Sequence, residues 1–260
     1  MKRVTSVEAK LKVGTTVPFL VNCDYQFELL VLKCQNKYQT GKALLNELIG
    51  YRLARTLSLP VPEQQLIYLS QDMIDANKQL QEINAQAGIC FASRWINATS
   101  GACPNFFRHA TNKEDFAGIL LIDQLLENID RGVNRGNWLF EKETKRIVLI
   151  DFGAIFRIAQ IWDQYSLSQD MEMPLTVLEE LNGPLYQAMI KQIKGKQAFA
   201  KIEQRIDDLS DDAKADIFRE IPLTDWGITN EDLQAAKKFI YFQLNRCQEI
   251  VAVLQEHFKL

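Results

Sequence analysis

The stretch DRGVNRGNWLF, residues 130–140, and the stretch IVLIDFG, residues 147–153, decide the fold of this chain. Asp130 and Asn137 come before a short apolar run in the first stretch, and Asp151 ends a β-branched run in the second. Both runs predict strands, so we expect the three polar side chains at the ends of two adjacent strands. The oxygen atoms of Asn137 and Asp151 suit a divalent metal, and the Asp130 carboxylate could orient a hydroxyl and accept its proton.

Two alternatives stay open for these stretches. The pattern is also that of an ordinary β-hairpin, in which Asp and Asn residues cap turns around Gly132 and Gly136. In addition, Asn134 offers the same amide chemistry as Asn137. We favour Asn137 as the metal ligand because it directly precedes the strand, from where its side chain can turn back toward Asp151.

A lysine and a glutamate upstream form a second candidate pair. Lys33 lies near the end of the strand-like run FELLVLKC, residues 27–34, and Glu47 lies in a segment with helical periodicity, residues 42–58. Small side chains share the helix face of Glu47: Ala43, Gly50 and Ala54. Such a face can approach a sheet closely, which would bring Glu47 within reach of Lys33. Taken alone, each could instead be a solvent-exposed charge.

The segment LKVGTTVPFLV, residues 11–21, precedes this pair and predicts a strand, a turn and a strand. Its turn contains Gly14, Thr15 and Thr16, whose backbone N–H groups and hydroxyls could cover phosphate groups. An ordinary hairpin fits the segment as well, because it contains a single glycine.

Together and in this order, the motifs resemble those of the compact HipA-like kinases of bacteria, which are distant relatives of protein and phosphoinositide kinases. The resemblance extends from about Val4 to Ile155 and is carried by VGTTVP, VLK, NELIGYRLARTLSLPVPE, CFASRW, NIDRGVNRGNWLF and LIDFG. It implies an α+β, two-lobed protein-kinase-like fold. The N-lobe, residues 1–92, would be small and β-rich with one main helix, and the C-lobe, residues 93–260, would be mostly helical.

The same resemblance implies a role for each candidate residue, with ATP and Mg²⁺ as cofactors. Lys33 and Glu47 would hold the α- and β-phosphates, and the chain from Cys90 to Ser93 would form the hinge under adenine. The residues implied in nucleotide binding are Gly14, Thr15, Thr16, Lys33, Glu47, Phe91 and Ser93. Asp130 would be the catalytic acid, and Asn137 and Asp151 would be the metal ligands.

Composition narrows the class of protein. A net charge of −3 and a pI near 5.6 argue against a general nucleic-acid binder. The longest apolar run, residues 116–126, contains Asp123 and is too short to span a membrane, and the N-terminus does not resemble a signal peptide. The five cysteines are odd in number and widely spaced, which predicts reduced thiols in a cytoplasmic protein.

Three functions follow as hypotheses. The resemblance favours an ATP- and Mg²⁺-dependent kinase that phosphorylates a serine or threonine of a protein. The alternatives are the same transfer to a small molecule or lipid headgroup, or a nucleotide-binding scaffold with little turnover. An apolar helical stripe from Leu233 to Phe258 could serve a homodimer or a regulatory partner, but packing within the lobe is the favoured interpretation.

Overall fold

The computed structural model describes residues 1–11, 16–132, 134–195 and 197–260. Gly14 and Thr15 of the predicted phosphate loop lie outside the described residues. The strands are β1 (Lys2–Lys10), β2 (Phe19–Cys23), β3 (Leu30–Lys33), β4 (Gln64–Leu69), β5 (Gly88–Arg94), β6 (Ala98–Ser100), β7 (Trp138–Glu141) and β8 (Ile147–Leu149). The helices are α1 (Gly41–Thr56), α2 (Gln71–Asp75), α3 (Lys78–Glu82), α4 (Pro104–His109), α5 (Phe116–Leu125), α6 (Gln164–Glu172), α7 (Pro184–Ile190), α8 (Ala200–Asp207), α9 (Asp211–Asp216), α10 (Leu223–Trp226), α11 (Asn230–Asn245) and α12 (Cys247–Phe258).

The first five strands close into a barrel with the order β1-β2-β3-β5-β4. All neighbours are antiparallel except β1 and β4, which are parallel. Alternate residues point inward, as in β2, where Phe19, Val21 and Cys23 are buried and the residues between them are not. In the pair of β3 and β5, Lys33 lies opposite Phe91, and Val31 lies opposite Ser93. The register therefore sets Lys33 and Ser93 on the same face of the barrel wall.

Helix α1 is the main helix of the N-terminal part, and it begins one residue before the predicted segment. The Thr40 side chain caps it by accepting a hydrogen bond from the N–H of Ala43. The predicted close approach occurs at Gly50, where an added Cβ would lie 2.4 Å from the side chain of Phe152. Only glycine fits there, so α1 packs directly against the segment that follows Asp151.

Strands β6, β7 and β8 form a separate antiparallel sheet, and Trp138 pairs with Leu149 within it. The hairpin expected from residues 130–140 and 147–153 is therefore present, and the ends of its two strands, β7 and β8, lie side by side. The N–H of Ile150 donates to the carbonyl of Asn137 over 3.2 Å. This contact continues the pairing beyond β8 and brings Asp151 next to the loop that contains Asp130.

The apolar stripe from Leu233 to Phe258 forms two helices, α11 and α12, rather than one. The Thr229 hydroxyl caps α11 by accepting a hydrogen bond from the N–H of Asp232. Helix α11 ends at Asn245, because the φ of −99° and ψ of 21° at Arg246 are not helical. The break allows α11 to pack on α6 while α12 packs on α5 and α8. Most of the stripe is buried within the chain: Ala236, Ile240, Leu244, Cys247, Val251 and Leu254.

No helix among the described residues is both long and apolar enough to cross a membrane. Four of the cysteines are buried as free thiols, and the fifth, Cys103, is half-buried. The core comprises two clusters, one inside the barrel and one that joins α1 to the helical part of the chain. The boundary between residues 92 and 93 stays a prediction.

Candidate active site

Asp130 lies at the centre of the loop between α5 and β7, with two asparagines beside it. Its Oδ2 accepts a hydrogen bond from Asn137 Nδ2 over 2.7 Å and one from Asn134 Nδ2 over 3.1 Å. The two amides hold one carboxylate oxygen in place, which fixes the direction of the Asp130 side chain. Both asparagines are therefore close enough to share a site with Asp130, and the choice between them as metal ligand stays a prediction.

Lys33 lies between two carboxylates. Its Nζ donates to Glu47 Oε1 and lies 3.0 Å from Asp151 Oδ1. The Lys33 side chain is 9% exposed and the Glu47 side chain is fully buried, so neither residue is a solvated surface charge. Glu47 Oε2 also accepts the N–H of Phe152 over 3.0 Å. One glutamate on α1 thus connects β3 to the backbone that follows Asp151.

Burial and charge together set the protonation of this group. Burial raises the pKa of Glu47 to about 7, although the neighbouring Lys33 ammonium opposes the rise. Burial acts in the same direction on Asp151, but the contact with Lys33 outweighs it and lowers the pKa of Asp151 to about 2. For Lys33, burial disfavours the charge, but the two carboxylates prevail and raise its pKa above the usual value. The site therefore keeps a charged lysine beside an ionised Asp151.

The backbone at Asp151 is left-handed, with φ at 65°, which is uncommon for a residue other than glycine. The N–H of Gly153 donates to Asp151 Oδ1 over 3.3 Å and so stabilises the turn. Strained backbone of this kind persists where the surrounding contacts hold it, and it is concentrated at functional sites.

Arg131 organises the loop from behind, and the sequence analysis missed it. The side chain is fully buried, and its Nε donates to both carboxylate oxygens of Asp123 over 3.0 and 2.8 Å. Its Nη1 donates to the backbone carbonyls of Asn137 and Ile150. One guanidinium group therefore joins the backbone before β7 to the backbone after β8. Its ion pair with Asp123 compensates for the burial of the positive charge.

Asp123 anchors this arrangement within the apolar helix α5. Besides Arg131, it accepts hydrogen bonds from the hydroxyl of Tyr186 over 2.6 Å and from Asn128 Nδ2 over 3.0 Å. A single carboxylate in a wholly buried helix was the signal that could have revealed the network, because an isolated buried charge requires a partner.

A cavity of about 270 Å³ lies between the barrel and the small sheet. Among the candidate residues, its lining includes Thr16, Lys33, Ser93, Asn137 and Asp151. Further lining residues were not singled out from the sequence: Tyr51, Arg94, Trp95, Ile96, Leu139 and Ile150. Apolar walls with a few convergent polar groups are typical of ligand pockets.

The side chain of Phe91 does not line this cavity, and its assignment as a nucleotide-binding residue stays a prediction. Its ring is buried and packs against the ring of Tyr51 at a centroid distance of 5.0 Å. Tyr51, on α1, contributes to the cavity wall, while Phe91 belongs to the core that joins α1 to the helical part. Ser93 does line the cavity, and the residues that follow it, Arg94 to Ile96, do so as well.

A second cavity of about 290 Å³ adjoins the first, and Thr16, Asn134 and Asp151 line both. Asp130 faces this second cavity, together with Tyr38, Ala43, Gly153, Ala159 and Gln160. Asp151 thus lies on the border between the first cavity, which Lys33 lines, and the second cavity, which Asp130 lines. Such an arrangement suits a two-substrate reaction at the point where the pockets meet.

Comparisons with known proteins identify the family and the fold of this chain. A family model described as HipA-like kinase matches residues 4–250. The solved structure of the proinflammatory kinase CtkA from Helicobacter pylori is similar, with a TM-score of 0.58 and 15% identity over 98% of this chain and 96% of that one. A MAP kinase from Leishmania major, LmaMPK10, gives a TM-score of 0.37 and 13% identity over 95% of this chain and 81% of that one. No curated protein matches the chain. The likeness to CtkA confirms the predicted kinase-like fold, with a strand-rich N-terminal part and a helical C-terminal part.

Proposed function

This chain belongs to the HipA-like kinase family, and on that premise we propose that it transfers the γ-phosphate of ATP, with Mg²⁺, to a serine or threonine hydroxyl of a protein. One observation carries the proposal: Lys33 contacts both Glu47 and Asp151 at the border of two adjoining cavities, the second of which contains Asp130. Kinases use this set of groups to hold phosphates, metal and acceptor hydroxyl.

The donor set fits a magnesium ion. Asp151 supplies an ionised carboxylate, and Asn137 engages its Nδ2 with Asp130, so its Oδ1 is the atom available to a cation. Carboxylate and amide oxygens are the hard ligands that Mg²⁺ prefers. When bound there, Mg²⁺ would neutralise charge on the β- and γ-phosphates.

Three residues of the site then have distinct roles in the transfer. Lys33, kept charged by its two carboxylate neighbours, binds the phosphates and fixes their position. Asp130 accepts the proton of the acceptor hydroxyl while that oxygen bonds to the γ-phosphorus and the bond to the β–γ bridging oxygen breaks, with ADP as the leaving group. Arg131 fixes the loop that contains Asp130 relative to the backbone that precedes Asp151, because it binds the carbonyls of Asn137 and Ile150.

The experiment is a labelled-ATP assay with Mg²⁺ that follows transfer to the protein itself, to dephosphorylated casein and to a lysate. Asp130→Asn should retain Mg²⁺–ATP affinity and lose phosphotransfer by roughly a hundredfold or more, because it removes only the proton acceptor. Asp151→Asn should weaken Mg²⁺-dependent ATP binding in calorimetry as well as turnover, because it removes a metal ligand.

The possible results separate the three hypotheses. Label on protein serine or threonine supports the proposal, and label on a small molecule or lipid replaces its acceptor class. ATP binding without transfer to any acceptor would identify a nucleotide-binding scaffold. Full activity of Asp130→Asn would refute its assignment as the proton acceptor.

A further inference from the structure

The segment from Gly153 to Trp162 forms one wall of the cavity that contains Asp130. Gly153, Ala159 and Gln160 from this segment line the cavity. Its backbone is left-handed at three residues other than glycine: Phe156, Arg157 and Ala159, with φ of 61°, 62° and 57°. A run of such residues does not hold its conformation alone, so contacts from the rest of the chain must hold it.

The carbonyls of Leu126 and Glu127 accept the N–H groups of Phe156 and Arg157 over 2.8 and 2.9 Å. Asn46 on α1 supplies further contacts. Its Nδ2 donates to the carbonyls of Gly153 and Ala159, each over 2.9 Å, and its Oδ1 accepts the indole N–H of Trp162 over 2.9 Å. The side chain is fully buried, and both of its amide hydrogens are used. One residue therefore fixes the segment at its start, near its centre and at its end.

The neighbouring Lys42 reinforces the end of the segment. Its Nζ donates to the carbonyl of Trp162 over 2.8 Å, lies 4.5 Å from the centroid of the Trp162 ring and pairs with Asp232 over 3.1 Å. Asn46 also directly precedes Glu47 in the sequence. Helix α1 therefore positions both Glu47, the partner of Lys33, and residues 153–162, which form the cavity wall.

The segment contains no side chain that could be phosphorylated. Residues 152–162 read FGAIFRIAQIW and include no serine, threonine or tyrosine. Arg131, next to Asp130, is fully buried against Asp123 and so has no guanidinium face available for a phosphate. Kinases often order the corresponding loop by phosphorylation and new arginine contacts, and this segment offers neither the modification site nor that arginine.

We propose that Asn46 is a positioning residue. It holds residues 153–162, which form one wall of the cavity at Asp130, in their observed conformation without phosphorylation of that segment. It links the location of α1, and with it the Lys33–Glu47 pair, to the conformation of residues 153–162. The role of the wall in binding an acceptor rests on the proposed function. The dependence of its conformation on Asn46 does not.

The test compares three variants of the full chain. Asn46→Ala removes all three hydrogen bonds. Trp162→Phe removes the indole N–H together with the five-membered ring, and it keeps a six-membered ring beside Phe156, whose centroid lies 5.3 Å from that of Trp162. Asn245→Ala, at an exposed position on α11, is the matched control. The readouts are amide hydrogen exchange across residues 153–162, trypsin cleavage after Arg157, the melting-temperature shift caused by Mg²⁺–ATP, and label transfer to dephosphorylated casein relative to ATP hydrolysis.

Asn46→Ala should raise exchange in residues 153–162 and cleavage after Arg157 by roughly tenfold or more, with unchanged exchange in the barrel. Trp162→Phe should shift both in the same direction by a smaller factor, and Asn245→Ala should shift neither. In Asn46→Ala the Mg²⁺–ATP melting shift should persist while transfer to casein falls relative to ATP hydrolysis. Phosphatase treatment of the wild-type protein should leave its activity unchanged.

Unchanged exchange in residues 153–162 of Asn46→Ala would overturn the inference. An equal rise of exchange throughout the barrel and α1 would overturn it as well, because it would mean a general structural role. If Asn46→Ala does not fold, a Trp162→Phe variant with wild-type exchange in the segment overturns the inference equally. Activity that disappears on phosphatase treatment would also contradict it. A wild-type protein that transfers no label would refute the proposed function, whereas the exchange comparison would still judge Asn46.

Discussion

Substitution of Glu47 by glutamine should change how the stability of the nucleotide-free protein depends on pH. Burial raises the pKa of Glu47 to about 7 from an ordinary value of 4.5. The folded state therefore binds this proton more tightly than the unfolded state. The stability that results is complete below about pH 4.5 and is lost as the pH rises through about 7.

The size of this effect follows from the pKa difference. It corresponds to about 3 kcal/mol of unfolding free energy between these pH values, since one pKa unit is worth about 1.4 kcal/mol. For a chain of this length, that is roughly 6 to 12 °C in Tm. Glutamine resembles the protonated glutamate and does not titrate, so the Glu47→Gln variant should show a flatter profile by this amount.

The assay is urea or thermal unfolding of wild type and variant from pH 4.5 to 8. Burial also raises the pKa of Glu127, so the wild-type slope has more than one source and the difference between the two profiles is the quantity to compare. Asp151, with a pKa of about 2, contributes a constant stability above its unfolded value of 3.8 and adds a pH dependence only below it. Glu231→Gln, at an exposed position on α11, is the control. Parallel profiles for wild type and Glu47→Gln would refute the argument.

The remaining predictions concern the rest of the site. Lys33→Met and Glu47→Gln should each lower phosphotransfer by roughly a hundredfold with the fold intact. In turnover assays the effects should be less than additive in the double mutant, because the two residues act as a pair. Simple additivity would mean that they act separately. Asn137→Ala should impair Mg²⁺-dependent turnover far more than Asn134→Ala, and the reverse order in a magnesium titration would assign the metal site to Asn134. Arg131→Lys should destabilise the protein by about 3 kcal/mol in urea unfolding, because lysine cannot reach Asp123 and two carbonyls together; a loss below about 1 kcal/mol would show that the network is not an anchor.

Local patterns in the sequence determined the elements and the types of residue at the site. The β-branched run before Asp151 formed a strand, and the helical period around Glu47 formed α1, because these patterns depend on neighbouring residues. The small residues beside Glu47 predicted the close packing seen at Gly50. The resemblance to HipA-like kinases, carried by the motifs around Lys33, Glu47, Asp130 and Asp151, implied a kinase-like fold, which the family match and the likeness to CtkA confirm.

Tertiary structure alone decided which buried polar groups meet. Asn46 bonds to Gly153 at a separation of 107 residues, and no local pattern contains that contact. The same holds for Arg131 and Asp123, whose pairing depends on how α5 packs beside the loop. The break at Arg246 and the position of Phe91 behind Tyr51 also arise from packing, since periodicity reports that a side chain is buried but not which surface buries it.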